Sequence, residues 1–191
     1  MHLWRKALRI IAGTKRGQPI ATPKGRDTRP TLDRVKESLF GIIQFEIAGK
    51  TVLDLFAGSG NLGLEALSRG AEHAVFNDAA RESAAVVRTN VEKLGFLRQS
   101  TIYSLDYRAA IQAAARAGFR FGLVFLDPPY RAGLLEETLA ALKTAGVLAP
   151  GCRIIAEHAA NLPPETPPGF TLCDRRKYGI AGLSIFEEER A

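Results

Sequence analysis

Apolar residues change their spacing twice along the chain. Near the start they form a short run, Leu8-Arg9-Ile10-Ile11-Ala12, followed by Gly13, Gly17 and Pro19. That punctuation predicts a small hairpin over residues 8–22. Pro23, Gly25 and Pro30 predict a loop. From Thr31 the apolar positions are Leu32, Val35, Leu39 and Ile42/Ile43, three or four apart, which predicts a helix. Arg34 and Lys36 fall between those apolar positions.

Beyond residue 50 short apolar runs alternate with amphipathic stretches. Strands are expected at 51–56, 74–77, 100–103, 121–126 and 153–157, with helices at 61–69, 81–94, 108–117 and 134–144 between them. Gly70, Gly95 and Gly118 close the first three of these helices. After Pro163-Pro164 and Pro167-Pro168 come two more strand-like pieces, 170–174 and 183–187. This rhythm specifies an α/β fold, a doubly wound, mostly parallel seven-stranded sheet with helices on both faces. The hairpin and first helix read as an N-terminal extension, 1–45, ahead of a main domain over 46–191.

Composition narrows the class. A chain of 191 residues with 46% hydrophobic and 24% charged residues can build its own core. No run approaches the roughly 18 apolar residues of a membrane span, and MHLWRKAL lacks the apolar core of a secretory signal. Cys152 and Cys173 have neither disulfide-scaffold density nor metal-ligand spacing, so both read as packing residues. A cytoplasmic, monomeric protein without a metal is expected.

Charge is unevenly placed. Residues 1–36 hold ten Lys/Arg against Asp27 and Asp33, a net +8, while 37–191 hold sixteen against eighteen acids. Such a basic arm neutralises phosphates and favours a nucleic-acid partner over a membrane surface, since it has no long amphipathic apolar face. Arg175-Arg176-Lys177 offers a second run that either contacts phosphate or is simply solvated.

In a doubly wound sheet, ligands bind beyond the carboxyl ends of the strands. The first such end reads Asp54-Leu55-Phe56-Ala57-Gly58-Ser59-Gly60-Asn61-Leu62-Gly63. Its GxGxxG suits both a dinucleotide and S-adenosylmethionine, because bare backbone N–H groups at a helix start receive either. Asp78, closing the second strand, suits a ribose or a helix cap. Asp54 suits a cationic amino group, which a nicotinamide cofactor lacks. Asp106 either accepts from an adenine amine or caps the next helix.

The fourth strand runs into Asp127-Pro128-Pro129-Tyr130. Two prolines remove N–H donors and aim the backbone carbonyls. Asp127 and a proline carbonyl can accept the two N–H bonds of a planar amine, with Tyr130 stacked on its ring. The plainer reading is a tight turn after a buried strand.

These residues resemble class I S-adenosylmethionine-dependent methyltransferases that act on exocyclic or amide nitrogen. A wider set, Arg9-Ile10-Ile11-Ala12-Gly13, Thr28-Arg29-Pro30-Thr31, Asp33-Arg34-Val35, Leu39-Phe40, the stretch 62–71 and Lys177-Tyr178-Gly179, is similar to bacterial 16S ribosomal RNA guanine-N2 methyltransferases. The resemblance implies a Rossmann-like methyltransferase fold, S-adenosylmethionine as cofactor, and 16S rRNA or the assembling small subunit as partner. It implies Asp127, Pro128, Pro129 and Tyr130 as catalytic residues, and Asp54, Phe56, Gly58, Ser59, Gly60, Asp78 and Asp106 around the cofactor. Arg9, Lys15, Arg16, Arg26, Arg29 and Arg34 would contact RNA. Thr31, Arg34 and Glu37 either line the cleft or sit on a helix surface, and His158 is expected to be structural. Adenine-N6 DNA or glutamine-N5 protein methylation is the alternative within catalysis. Outside it stand an NAD-dependent oxidoreductase and an RNA-binding module without catalysis.

Overall fold

The computed structural model describes residues 8–23, 30–129 and 133–189, with only the backbone for 30–34. Its helices are α1 (Pro30–Ile43), α2 (Asn61–Ser68), α3 (Arg81–Leu94), α4 (Tyr107–Arg116) and α5 (Leu134–Thr144). Its strands are β1 (Thr51–Asp54), β2 (His73–Asn77), β3 (Ser100–Tyr103), β4 (Phe121–Leu126), β5 (Leu148–Ala159), β6 (Phe170–Tyr178) and β7 (Ala181–Glu188). They form one sheet in the order β3-β2-β1-β4-β5-β7-β6. The pairs from β3 through β5 are parallel, and β7 runs antiparallel to both β5 and β6, so the sheet is mixed. The order reverses between β1 and β4, which puts the ligand crevice there.

Alternation along each strand divides the core between the two faces. Val52, Ala74, Phe76, Leu123 and Phe125 pack with α1, α2 and α3. Leu53, Val75, Val124 and Leu126 pack with α4 and α5 on the other side. The hairpin belongs to the first face: Leu8, Ile10 and Ile20 are buried with Phe40 and Phe76.

That hairpin is held by one antiparallel bridge, Arg9 to Pro19, with Ile10 N donating to Gln18 O (3.0 Å) and Ile20 N to Leu8 O (2.8 Å). Its tip docks on the end of α2, where Thr14 N donates to Ser68 O (2.8 Å) and Lys15 N to Ser68 Oγ (3.0 Å). Gly13 permits the contact: its φ is +81°, and a Cβ there would lie 1.8 Å from Ser68 O.

Strand β5 starts five residues before the expected 153–157 segment because a register irregularity between Phe121 and Leu123 absorbs the Pro150-Gly151 break. Strand β6 continues through the charged run to Tyr178. It is the sheet's edge, where charged side chains are tolerated and deter pairing with other chains. Cys173 on it is exposed, contrary to the packing role expected, whereas Cys152 is buried. Burial pushes the Cys152 thiol up to about 12, with smaller contributions from its charged neighbours.

Candidate active site

Neighbouring strand exits bring the acidic side chains together. Asp54 ends β1 and pairs with Phe125 of β4; Leu126, one residue before Asp127, pairs with Ala156, one residue before Glu157. Asp54, Asp127 and Glu157 therefore line one cleft, with Phe56, Gly58 and Ser59 of the glycine loop. The other wall comes from the N-terminal extension: Leu8, Thr22, Pro23, Val35, Lys36 and Leu39. The cleft encloses about 160 Å³ and opens to solvent.

Carboxyl chemistry there is strongly perturbed. Asp54 is 3% exposed, and its Oδ2 accepts from Gly63 N at 2.9 Å. Burial, opposed by that bond but reinforced by Asp127 and Asp78, pushes its pKa up to about 7. Glu157 is raised to about 8 by burial and then by Asp127. A cleft whose acids resist ionisation for want of compensating charge fits a cationic ligand, which would relieve the repulsion. This fits the amino and sulfonium groups of S-adenosylmethionine.

The glycine loop is built to hold its shape. Gly58 and Gly60 both have positive φ, +56° and +79°. Asp78 Oδ2 accepts from Gly58 N (2.9 Å) and its Oδ1 from Ala80 N (2.9 Å). Asp78 thus pins the loop to β2; the N-cap position of α3 is Ala80. Gly63 serves packing: a Cβ there would lie 2.4 Å from Phe76 Cε1, so no side chain fits between α2 and β2. Asn77 joins the exits of β1 and β3, donating to Leu55 O (3.2 Å) and Leu105 O (3.1 Å) while accepting from Leu105 N (3.1 Å).

The remaining candidates divide. Asp106 is exposed and caps α4 by accepting from Arg108 N at 3.0 Å; like Asp78 it is not among the residues lining the cleft. Pro128 is buried and Pro129 exposed beside Asp127. Tyr130, Arg26, Arg29 and the side chains of Thr31 and Arg34 lie outside the described residues. Arg9 and Arg16 are exposed on the hairpin, and Lys15 sits over the Phe96 ring at 5.6 Å. Glu37 is exposed and does not line the cleft. His158 is buried, with Nε2 2.9 Å from Ser184 Oγ and Nδ1 2.9 Å from Ala159 O, a structural position. Arg175 donates to Ser184 Oγ (3.0 Å) and Pro164 O (2.7 Å), and Arg176 pairs with Asp174 (2.8 Å), so the second basic run is largely committed to its own strand.

Lys36 overturns part of the charge reading. It is 3% exposed and 2.8 Å from Glu65, itself fully buried, and it donates to Arg9 O (3.1 Å) and Asn61 Oδ1 (2.5 Å). Its charge is therefore spent inside the protein. Glu65 also accepts from Ile11 N (2.8 Å), Ala12 N (2.9 Å) and Arg69 Nε (2.8 Å). A lone acid inside Leu62-Gly63-Leu64-Glu65-Ala66-Leu67 was the sequence signal for a buried ion pair. Asn90 is a second tie, donating to Ala21 O and Ser59 O (both 2.9 Å) and accepting from Ala21 N (2.8 Å). Glu157 was legible as an acid ending the apolar run Ile154-Ile155-Ala156.

Strand order, glycine loop and acidic exits together define a class I methyltransferase, the fold of the S-adenosylmethionine-dependent enzymes. Residues 8–187 match the family described as "Conserved hypothetical protein 95", and the chain belongs to that family. It is 36% identical over 189 residues to ribosomal RNA small subunit methyltransferase D of Escherichia coli K12, covering 98% of this chain and 93% of the relative. The Haemophilus influenzae protein of the same name is 34% identical over 187 residues, covering 94% and 93%. The solved structure of yhhF from Escherichia coli, described as a candidate methyltransferase, is similar with a TM-score of 0.84 at 34% identity, covering 96% and 98%. Among the described residues no helix is long and apolar enough to cross a membrane, and no group of three or more His, Cys, Asp or Glu could hold a metal.

Proposed function

We propose that the protein methylates ribosomal RNA of the small subunit, transferring the methyl group of S-adenosylmethionine to the exocyclic N2 amine of a guanine in 16S rRNA. The observation that carries this reading is the convergence of Asp54, Asp127 and the glycine loop in one cleft at the strand-order reversal. The names of the relatives support the RNA substrate.

The cofactor supplies an activated methyl group on a positively charged sulfur. Gly58, Ser59 and Gly60 give it a close backbone approach, and the buried Asp54 favours its cationic end. Asp78 holds the loop through Gly58 N and keeps acceptor capacity on both oxygens for a ribose. Asp127 accepts from the target amine, orients its lone pair and takes the proton displaced by methylation. With Pro128 and Pro129 it forms the acceptor side, and the ring of Tyr130, next in the sequence, is the proposed stacking partner of the base. Such orientation is worth about 7–11 kcal/mol of barrier, so no stronger base is needed. Arg9, Lys15 and Arg16, joined by Arg26, Arg29 and Arg34, hold the surrounding phosphates. The enzyme works as a cytoplasmic monomer, with residues 1–45 as its RNA-contacting extension and 46–191 as its catalytic domain.

The test is incubation with methyl-labelled S-adenosylmethionine and naked 16S rRNA, assembled small subunits or DNA, followed by nucleoside analysis. Label in N2-methylguanosine is expected; label in N6-methyladenine, or in protein alone, overturns the reading.

A further inference from the structure

We propose that Glu157 reads the ring N1–H of the target guanine while Asp127 holds its exocyclic amine, so that two neighbouring carboxyls select the base. This rests on the guanine reading above. The sheet order β2-β1-β4-β5 sets Asp78, Asp54, Asp127 and Glu157 in that sequence along the exit edge. The glycine loop and Asp78 occupy one side of Asp127; Glu157 lies on the other, where the acceptor base must enter. Adjacent strands are about 4.8 Å apart, so carboxyls at neighbouring exits can converge on neighbouring atoms of one base.

Guanine offers two adjacent donors on that edge, the N1–H and the 2-amine. Adenine places an acceptor at N1 beside its amine, so a carboxylate there meets a lone pair. The groups around Glu157 leave this task to it. Lys36, across the cleft on α1, is paired with Glu65. His158, the next residue, is bonded to Ser184 and Ala159, and the β7 residue in register is Leu183. Asp127 and Asp54 are the acids facing it. Burial and Asp127 raise the Glu157 carboxyl to about 8, and a hydrogen bond from a donor such as N1–H opposes that shift by favouring the ionised form.

The experiment uses the full-length enzyme and an RNA fragment carrying, at the nucleotide the wild type methylates, either guanine or 2-aminopurine. The analogue keeps the 2-amine but has a lone pair at N1 and no oxygen at C6. Above about pH 8, wild type should prefer guanine by roughly tenfold to a hundredfold in kcat/KM. That preference should shrink as pH falls, because a protonated Glu157 can donate to the analogue's N1. Asp127 meets the same 2-amine in both bases, so the comparison of wild type with the Glu157 variants reads the contact at N1. In Glu157→Gln, whose amide both donates and accepts, the preference should fall to near parity and lose its pH dependence; Glu157→Ala should also lose the preference. Retention of the wild-type ratio and profile in Glu157→Gln, with cofactor binding intact, overturns this inference alone. Failure of the wild type to methylate guanine in any RNA overturns the guanine reading and this inference with it.

Discussion

Lys36 Nζ lies 2.8 Å from Glu65 Oε2 with both side chains almost wholly excluded from solvent, joining α1 to α2 beneath the N-terminal hairpin. The same ammonium reaches Asn61, the first residue after the glycine loop, and the same carboxylate takes two N–H groups of the hairpin. The hairpin and the glycine loop are therefore tied through one buried charge pair. Removing one partner leaves the other charged and buried. Lys36→Met should destabilise the fold by about 3–5 kcal/mol, measured by urea denaturation, and the double change with Glu65→Leu should recover much of it.

That pair also gives the protein an acid limit. Burial alone would raise the Glu65 carboxyl, but Lys36, the Ile11 N–H and Arg69 outweigh it and hold its pKa below the ordinary value. A depressed carboxylate stabilises the fold above its unfolded pKa, and that contribution is lost as pH falls through the folded one. Stability should therefore drop on acidification below about pH 4.5, and Glu65→Gln should flatten that part of the curve.

Asp54 has the opposite sign. Its folded pKa, about 7, exceeds the ordinary 3.8, so between those values the folded protein holds a proton the unfolded chain has lost. This carboxyl costs stability increasingly as pH rises from 3.8 towards 7. A cationic ligand favours the ionised form, so S-adenosylmethionine affinity should rise through about pH 7. Calorimetric titration of Asp54→Asn, which keeps an acceptor for Gly63 N, should show weaker and flatter binding.

Asp127→Ala should lower single-turnover methyl transfer by at least about 100-fold while cofactor affinity changes little. Asp127 is exposed, so the fold should not suffer. Unchanged transfer in this variant would remove Asp127 from the reaction.

RNA binding should depend steeply on salt, but truncating the hairpin is the wrong way to examine it. Leu8, Ile10 and Ile20 are core residues, and Thr22 and Pro23 line the cleft. Arg9→Ala with Arg16→Ala removes exposed charge alone. Each lost phosphate contact should reduce the slope of log affinity against log salt by about 0.7–0.9; an unchanged slope would place the RNA elsewhere.

Residue periodicity alone determined the doubly wound sheet and most of its elements. Helices α3 and α5 and strands β3 and β4 occupy the segments their spacing marked, because buried parallel strands and amphipathic helices impose local patterns. The glycine loop and Asp54, Asp78 and Asp127 at strand exits were legible from residue types, whereas Glu157 was not singled out. Tertiary packing decided how those residues are used. It turned Lys36 from an apparent surface cation into a buried partner of Glu65 and assigned Gly63 to the contact with Phe76. It made the hairpin a wall of the cleft and set Glu157 beside Asp127 through the Leu126–Ala156 register. These are pairings between residues far apart in the chain. No local period encodes them, and they exist only once the sheet order brings the strand exits together.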